Sequence, residues 1–180
     1  VLVLGLDPST TSTGYGLVEG DGRRKAAYID CGCFRPPRNV SLDQRLRVIF
    51  DGVNEILRDR NPDAVAIEGS FFGKDAGAAA KLGEARGVLR VAVNLAGIES
   101  AVYSPAEIKK ALTGNGQASK ESVQYMVAKT LKMKQLPRPL DASDALAIAL
   151  CHLHRPAQDV PGARGRKPEI EALLRRVSSR

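Results

Sequence analysis

Four carboxylates in this sequence sit where acids can do chemistry: Asp7, Glu68, Asp141 and Asp144. Asp7 ends the apolar run Val1-Leu2-Val3-Leu4-Gly5-Leu6, and Glu68 ends a second run, Ala64-Val65-Ala66-Ile67. Asp141 and Asp144 stand at i and i+3, on one face of the first turn of a helix. If the two runs are parallel neighbouring strands, Asp7 and Glu68 project together at the carboxyl edge of a sheet, where α/β folds place their sites. Anionic groups held close raise one another's pKa unless a cation or hydrogen-bond donors compensate. Clustered Asp and Glu without sulfur or imidazole select hard cations, Mg²⁺ or Mn²⁺, which bridge to phosphate oxygens. Two such ions about 4 Å apart activate a water and stabilise the leaving oxygen of an in-line phosphodiester displacement. Taken singly, each acid has a plainer reading. A strand-end acid caps the following turn, and acids at a helix start cap it and suit its dipole.

For the acids to meet, particular elements must carry them. Both apolar runs are too short for a helix and read as buried strands. Tyr15–Val18 and Ala27–Phe34 read as two further strands joined by the Gly20-Asp21-Gly22 turn, an antiparallel meander. Ser41 with Gln44 forms a capping box, after which Leu42, Leu46, Ile49, Val53, Ile56 and Leu57 recur at helical spacing until Asn61-Pro62. A helix between the Asp7 and Glu68 strands suggests a crossover onto one sheet. Asp75 to Ala96 reads as a helix with a small-residue face, Ala101–Tyr103 as a short strand, and Pro105 to Leu112 and Ser119 to Leu131 as helices. The last core helix is expected to start at Asp141. Its stripe of Ala145, Leu146, Ala149, Leu150 and Leu153 must bury against the sheet, which brings the helix start towards Asp7 and Glu68.

The 180 residues, 43% of them hydrophobic, are one domain's worth of chain with material for a real core. That composition excludes disorder for most of the length, and no apolar run reaches membrane-spanning length. The absence of a basic leader before Gly5 and Asp7 points to a cytoplasmic protein. Cys31, Cys33 and Cys151 suit neither a disulfide framework nor a zinc site. With 27 Lys plus Arg against 20 Asp plus Glu, a net charge of +7 points towards a polyanionic partner, most often nucleic acid. Part of that excess lies in Arg164, Arg166, Lys167, Arg175, Arg176 and Arg180, so the chain divides into a body, 1–156, and a basic, mobile tail, 157–180.

The order strand-Asp7, two antiparallel strands, helix, strand-Glu68 and a late helix with Asp141 and Asp144 resembles the ribonuclease H and integrase-like superfamily. Within it, Gly5-Leu6-Asp7-Pro8-Ser9, Thr13-Gly14-Tyr15-Gly16, Ala66-Ile67-Glu68, Phe71, Lys81-Leu82-Gly83, Ala85-Arg86-Gly87 and Asp141 to Ala149 resemble the bacterial Holliday-junction resolvases of the RuvC type. The similarity runs from Val1 to about His154. It implies an α/β fold with a mixed five-stranded sheet flanked by helices. It also implies a homodimer that nicks two strands of a four-way DNA junction symmetrically, with two Mg²⁺ or Mn²⁺ ions held by Asp7, Glu68, Asp141 and Asp144, and cooperation with a branch-migration complex. Ser9 departs from the family, which more often has Gly after Asp-Pro; this alters the turn beside Asp7 but removes no ligand.

Lys109 and Lys120 match the family's basic residues near the cleaved strand, where an ammonium holds phosphate charge; otherwise they are solvated lysines. Phe71 matches a position that stacks on unpaired bases, Phe72 is assigned to packing, and Lys74 in the same loop is a candidate for substrate binding. The small-residue face of Ala78, Ala79, Gly83, Ala85 and Gly87 suits either a twofold dimer contact or packing on the chain's own sheet. His152 and His154 point to different sides of a helix and read as structural. Two rival readings remain at this point: a junction-binding scaffold without catalysis, and an actin-like ATP-binding module suggested by Gly5-Leu6-Asp7 with Thr10, Thr11 and Gly14.

Overall fold

The computed structural model describes residues 1–21, 25–69, 75–98 and 100–155. Strands β1 (Leu2–Asp7), β2 (Thr13–Gly20) and β3 (Ala26–Phe34) form the expected antiparallel meander. The chain then passes through helix α1 (Leu42–Arg60) and returns as β4 (Ala64–Glu68), parallel to β1. Helix α2 (Ala76–Leu95) leads to β5 (Ser100–Tyr103), parallel to β4. The five-stranded mixed sheet has the order β3-β2-β1-β4-β5, the ribonuclease H-like arrangement that the resemblance implies. Strand β2 is longer at both ends than the hydrophobic run Tyr15–Val18, because backbone pairing begins with Thr13 opposite Phe34 and Gly14 opposite Asp7 and continues to Glu19 opposite Leu2 and Gly20 opposite Ala26. The polar turn after Asp7 shrinks accordingly.

Local signals set most helix ends. Ser41 and Gln44 make the reciprocal capping box, and Asn61 closes α1 in the left-handed region at φ 43°. The Asp75 carboxylate accepts from the amides of Gly77 and Ala78 to start α2. Ser104 and Glu107 form a second capping box on α3 (Pro105–Thr113), and Ser119 caps α4 (Lys120–Thr130). The last helix differs from expectation. Helix α5 (Leu140–Leu153) begins one residue earlier than Asp141, with Pro139 at the cap position and no side-chain cap. Neither Asp141 nor Asp144 is therefore spent as an N-cap.

Strand alternation divides the core in two. Leu4, Leu6, Leu17, Val65 and Ile67 face α1 and α2, whereas Val3, Val18, Ala64, Ala66 and Tyr103 face α3, α4 and α5. Helix α5 is buried on nearly all sides from Ala142 to Leu153, with Asp144 the half-exposed exception. A helix apolar all round belongs at the centre of a fold, and this one lies between the sheet and α3 and α4. Burying Leu146, Ile148 and Leu150 contributes about 1.5–3 kcal/mol each. Two like charges at about 4 Å repel by roughly 4 kcal/mol at an effective dielectric of 20. The helix can thus hold its acids in a repulsive place.

Several minor expectations are met in detail. His152 is buried, with Nδ1 2.7 Å from the Tyr103 hydroxyl, while His154 is exposed. The three cysteines are free thiols. The small-residue face of α2 is not one face: Ala85 is buried in the chain's own interior, whereas the Cα atoms of Gly83 and Gly87 look into open space. No helix among the described residues is long and apolar enough to cross a membrane.

Candidate active site

The same alternation that builds the core aims the first two acids. Val3, Gly5 and Asp7 lie on the α5 side of β1, as Ala64, Ala66 and Glu68 do on β4. Asp7 and Glu68 follow directly on the paired residues Leu6 and Ile67, so they leave the sheet side by side. Helix α5 reaches them because glycines floor its path. A Cβ on Gly5 would stand 2.1 Å from the Ala145 carbonyl oxygen, and one on Gly14 2.1 Å from the Asp141 carbonyl oxygen. Gly14 is also the β2 partner of Asp7, which places the Asp141 backbone over the residue beside that acid.

A cavity of about 260 Å³ opens at this edge, lined by Asp7, Glu68, Asp144, Lys109 and Lys120, with Ile108, Val123 and Ala147 among its walls. Lys109 comes from α3 and Lys120 from the first turn of α4. Lys120 Nζ lies 3.4 Å from Asp144 Oδ2. Asp141 does not line the cavity but is near enough for its charge to act on Asp7. Its carboxylate accepts a 2.5 Å hydrogen bond from the Ser12 hydroxyl. Five of the expected site residues thus share one cavity, and Asp141 stands beside it. Phe71 and Lys74 lie outside the described residues, as does the tail from residue 156.

The plainer reading of Asp7 as a turn cap does not hold. The turn is tied instead by Ser9 and Thr13. Ser9 Oγ accepts from the amides of Thr11 and Ser12, and Thr13 Oγ1 accepts from the Ser9 amide and donates to its carbonyl. Ser9 is therefore part of the turn's hydrogen bonding. Sequence reasoning missed Ser12. Its one trace was a run of hydroxyl residues after Asp7, and nothing local links it to Asp141, 129 positions away.

The acids hold each other in a costly state. Burial, and then the charges of Glu68, Asp144 and Asp141, push the Asp7 carboxyl up to about 8, with Lys120 opposing. Burial and the charge of Asp144 raise Glu68, opposed by Lys120 and Lys109. Asp144 in turn raises Lys120. The donors are hard carboxylate oxygens, and their negative charge exceeds what the two lysines neutralise, so the set fits a divalent cation. Among the described residues no three such side chains are drawn into a closed ligand shell. Asp141 and Asp144 are turned to Ser12 and Lys120 respectively.

Comparison with known proteins gives the same direction. Residues 3–152 match the family model described as crossover junction endodeoxyribonuclease RuvC. A relative from Shewanella loihica with that description is 46% identical over 153 residues, 85% of this chain and 87% of the relative. Among solved structures, Thermus thermophilus RuvC in complex with a Holliday junction substrate superposes with a TM-score of 0.80 at 38% identity, covering 84% of this chain and 92% of that one. The yeast mitochondrial Holliday junction resolvase Ydc2, at a TM-score of 0.62 and 11% identity over 84% of this chain and 77% of its own, shares the fold alone. With the family model spanning most of its length and its relatives matched nearly end to end, the chain belongs to the RuvC family of crossover junction endodeoxyribonucleases.

Proposed function

We propose that this chain is a metal-dependent endonuclease that nicks four-way DNA junctions by phosphodiester hydrolysis in recombination and repair. The observation that carries this reading is the convergence of Asp7, Glu68 and Asp144 with Lys109 and Lys120 in one cavity, Asp141 alongside, in a member of this family. Family membership implies a divalent cation, and Asp7, Glu68, Asp141 and Asp144 are the residues that would hold it. Mg²⁺ or Mn²⁺, two ions per site, is our assignment from the oxygen-only donor set. The chemistry such ions supply when bound is a water of lowered pKa and neutralisation of the leaving oxygen. The chain's own side chains do the rest. Asp7 and Glu68 present buried negative charge at the sheet edge, and the ammonium groups of Lys120 and Lys109 hold the scissile phosphate and offset charge that develops on it. Lys120 exchanges its contact with Asp144 for a phosphate oxygen when substrate enters.

In this reading the DNA backbone is drawn to a chain carrying a net charge of +7, and affinity falls steeply with salt. Phe71 stacks on an opened base and Lys74 contacts the backbone nearby. A homodimer presents two sites to opposite strands of a junction that is itself nearly twofold symmetric, and the resemblance implies a branch-migration complex as the delivering partner. The test is incubation of the full chain with an immobile junction and a matched linear duplex, with Mg²⁺ or Mn²⁺. Paired, ligatable nicks confined to the junction are expected. Binding without cleavage would instead favour a scaffold, and equal cutting of the duplex would overturn junction selectivity.

A further inference from the structure

Asp141 differs from the other three acids in how it is held. Asp7 and Glu68 ride on strand ends and Asp144 is paired with Lys120, but Asp141 stands outside the cavity wall with its carboxylate fastened to a loop. The fastening is the Ser12 hydroxyl, which donates to Oδ2 at 2.5 Å. No other hydrogen bond to that carboxylate is made among the described residues. Ser12 is in turn placed by its own turn. Its amide donates to Ser9 Oγ at 3.3 Å, the neighbouring Thr11 amide does so at 3.2 Å, and the fully buried Thr13 closes the loop onto the Ser9 backbone. One residue further, Gly14 receives the Asp141 backbone in direct contact. The stretch from Ser9 to Gly14 therefore grips Asp141 at both ends, main chain and carboxylate. The Cys33 thiol lies against the Ser12 hydroxyl, and burial keeps it protonated.

We infer that Ser12 is a positioning residue: its hydroxyl, set by the turn that Ser9 organises, holds the Asp141 carboxylate in the orientation from which the acid cluster takes up a divalent cation. A carboxylate next to Asp7 and free to rotate would swing away from the repulsion, and the cation would have to recover it on binding. A hydroxyl donor removes that reorganisation by stabilising the anion in place, which is what groups behind metal ligands do generally. Ser12 itself does not line the cavity.

The inference rests on the divalent-cation reading of the site, and its test reads binding rather than turnover. Mn²⁺ is titrated into the full-length chain and free ion followed by its electron paramagnetic resonance signal, for the parent, Ser12→Ala, Ser12→Thr and Ser9→Gly. Melting in EDTA and junction affinity in EDTA are measured alongside. Ser12→Ala is expected to weaken Mn²⁺ binding roughly tenfold while melting and junction affinity in EDTA stay put. Ser12→Thr, which keeps the donor, restores binding, and Ser9→Gly weakens it in the same direction but less. Parent-like Mn²⁺ affinity in Ser12→Ala, or a Ser12→Thr as weak as Ser12→Ala, overturns the inference and leaves the cation reading intact. A parent chain that binds no Mn²⁺ overturns both. Should Ser12→Ala fail to fold, Ser9→Gly decides: it removes the Oγ that accepts from the Thr11 and Ser12 amides, and undiminished Mn²⁺ binding in that variant sinks the inference.

Discussion

Replacing Asp7 by Asn takes one negative charge out of the acid cluster without changing the side chain's shape, and its consequence for stability can be worked from the structure. The folded protein keeps the Asp7 proton up to about pH 8, against an ordinary value of 3.8. An unfolded chain loses that proton near pH 4. Between these limits the folded state binds more protons than the unfolded one, so stability is greatest at low pH and drains as pH rises through the window. About four pH units at ~1.4 kcal/mol each set an upper bound of about 6 kcal/mol. Relaxation of the neighbouring acids and screening in a half-open cavity reduce this to about 2–3 kcal/mol. Asn resembles the protonated acid, so Asp7→Asn avoids the loss. In EDTA at pH 8.5 it should melt about 5–10 °C above the parent, with the gap closing by pH 4. Mg²⁺ should raise the parent's melting temperature and narrow the gap, because cation binding neutralises the same charge. Junction nicking should vanish while junction binding in EDTA survives. Calorimetric melts from pH 4 to 9 with and without Mg²⁺ decide the matter. A variant no more stable than the parent at pH 8.5, or one whose advantage grows towards pH 4, would refute the electrostatic account; retained Mg²⁺-dependent nicking would refute the catalytic one.

Lys120→Ala removes the ammonium nearest Asp144, and the nicking rate at saturating cation should fall about a hundredfold with little change in junction affinity; a near-normal rate would assign Lys120 to the solvated surface. Gly14→Ala places a methyl against the Asp141 carbonyl, where only main chain can give way, so it should cost about 1–3 kcal/mol in melts and lower nicking in step, whereas a neutral result would mean α5 shifts freely. Tyr103→Phe strands the buried Nδ1 of His152 and should cost about 1–3 kcal/mol while leaving nicking unchanged at a temperature where the variant is folded; lost activity there would extend the site towards the far end of α5.

The primary sequence determined the elements and much of the acid geometry. Short apolar runs ending in Asp7 and Glu68, the capping box at Ser41 and Gln44, and the helical spacing behind it are local patterns, and local patterns survive in any context that buries them. Alternation with period two was sufficient to aim Asp7 and Glu68 at one face once their strands were taken as parallel neighbours. Packing of the last helix could be expected to bring Asp141 and Asp144 towards the other two acids, but local pattern alone left open whether they cap the helix instead. Asp at a helix start caps far more often than it does anything else, and only the tertiary structure shows Pro139 at the cap and both acids released. Which of the small residues of α2 are buried likewise depends on what packs against it, which composition does not record. Ser12 was invisible for a deeper reason. A hydrogen bond between residues 129 positions apart leaves no periodic trace in the chain; it exists because Gly5 and Gly14 lack side chains and let α5 settle onto the sheet, and that approach is a property of packed surfaces, not of any stretch of sequence.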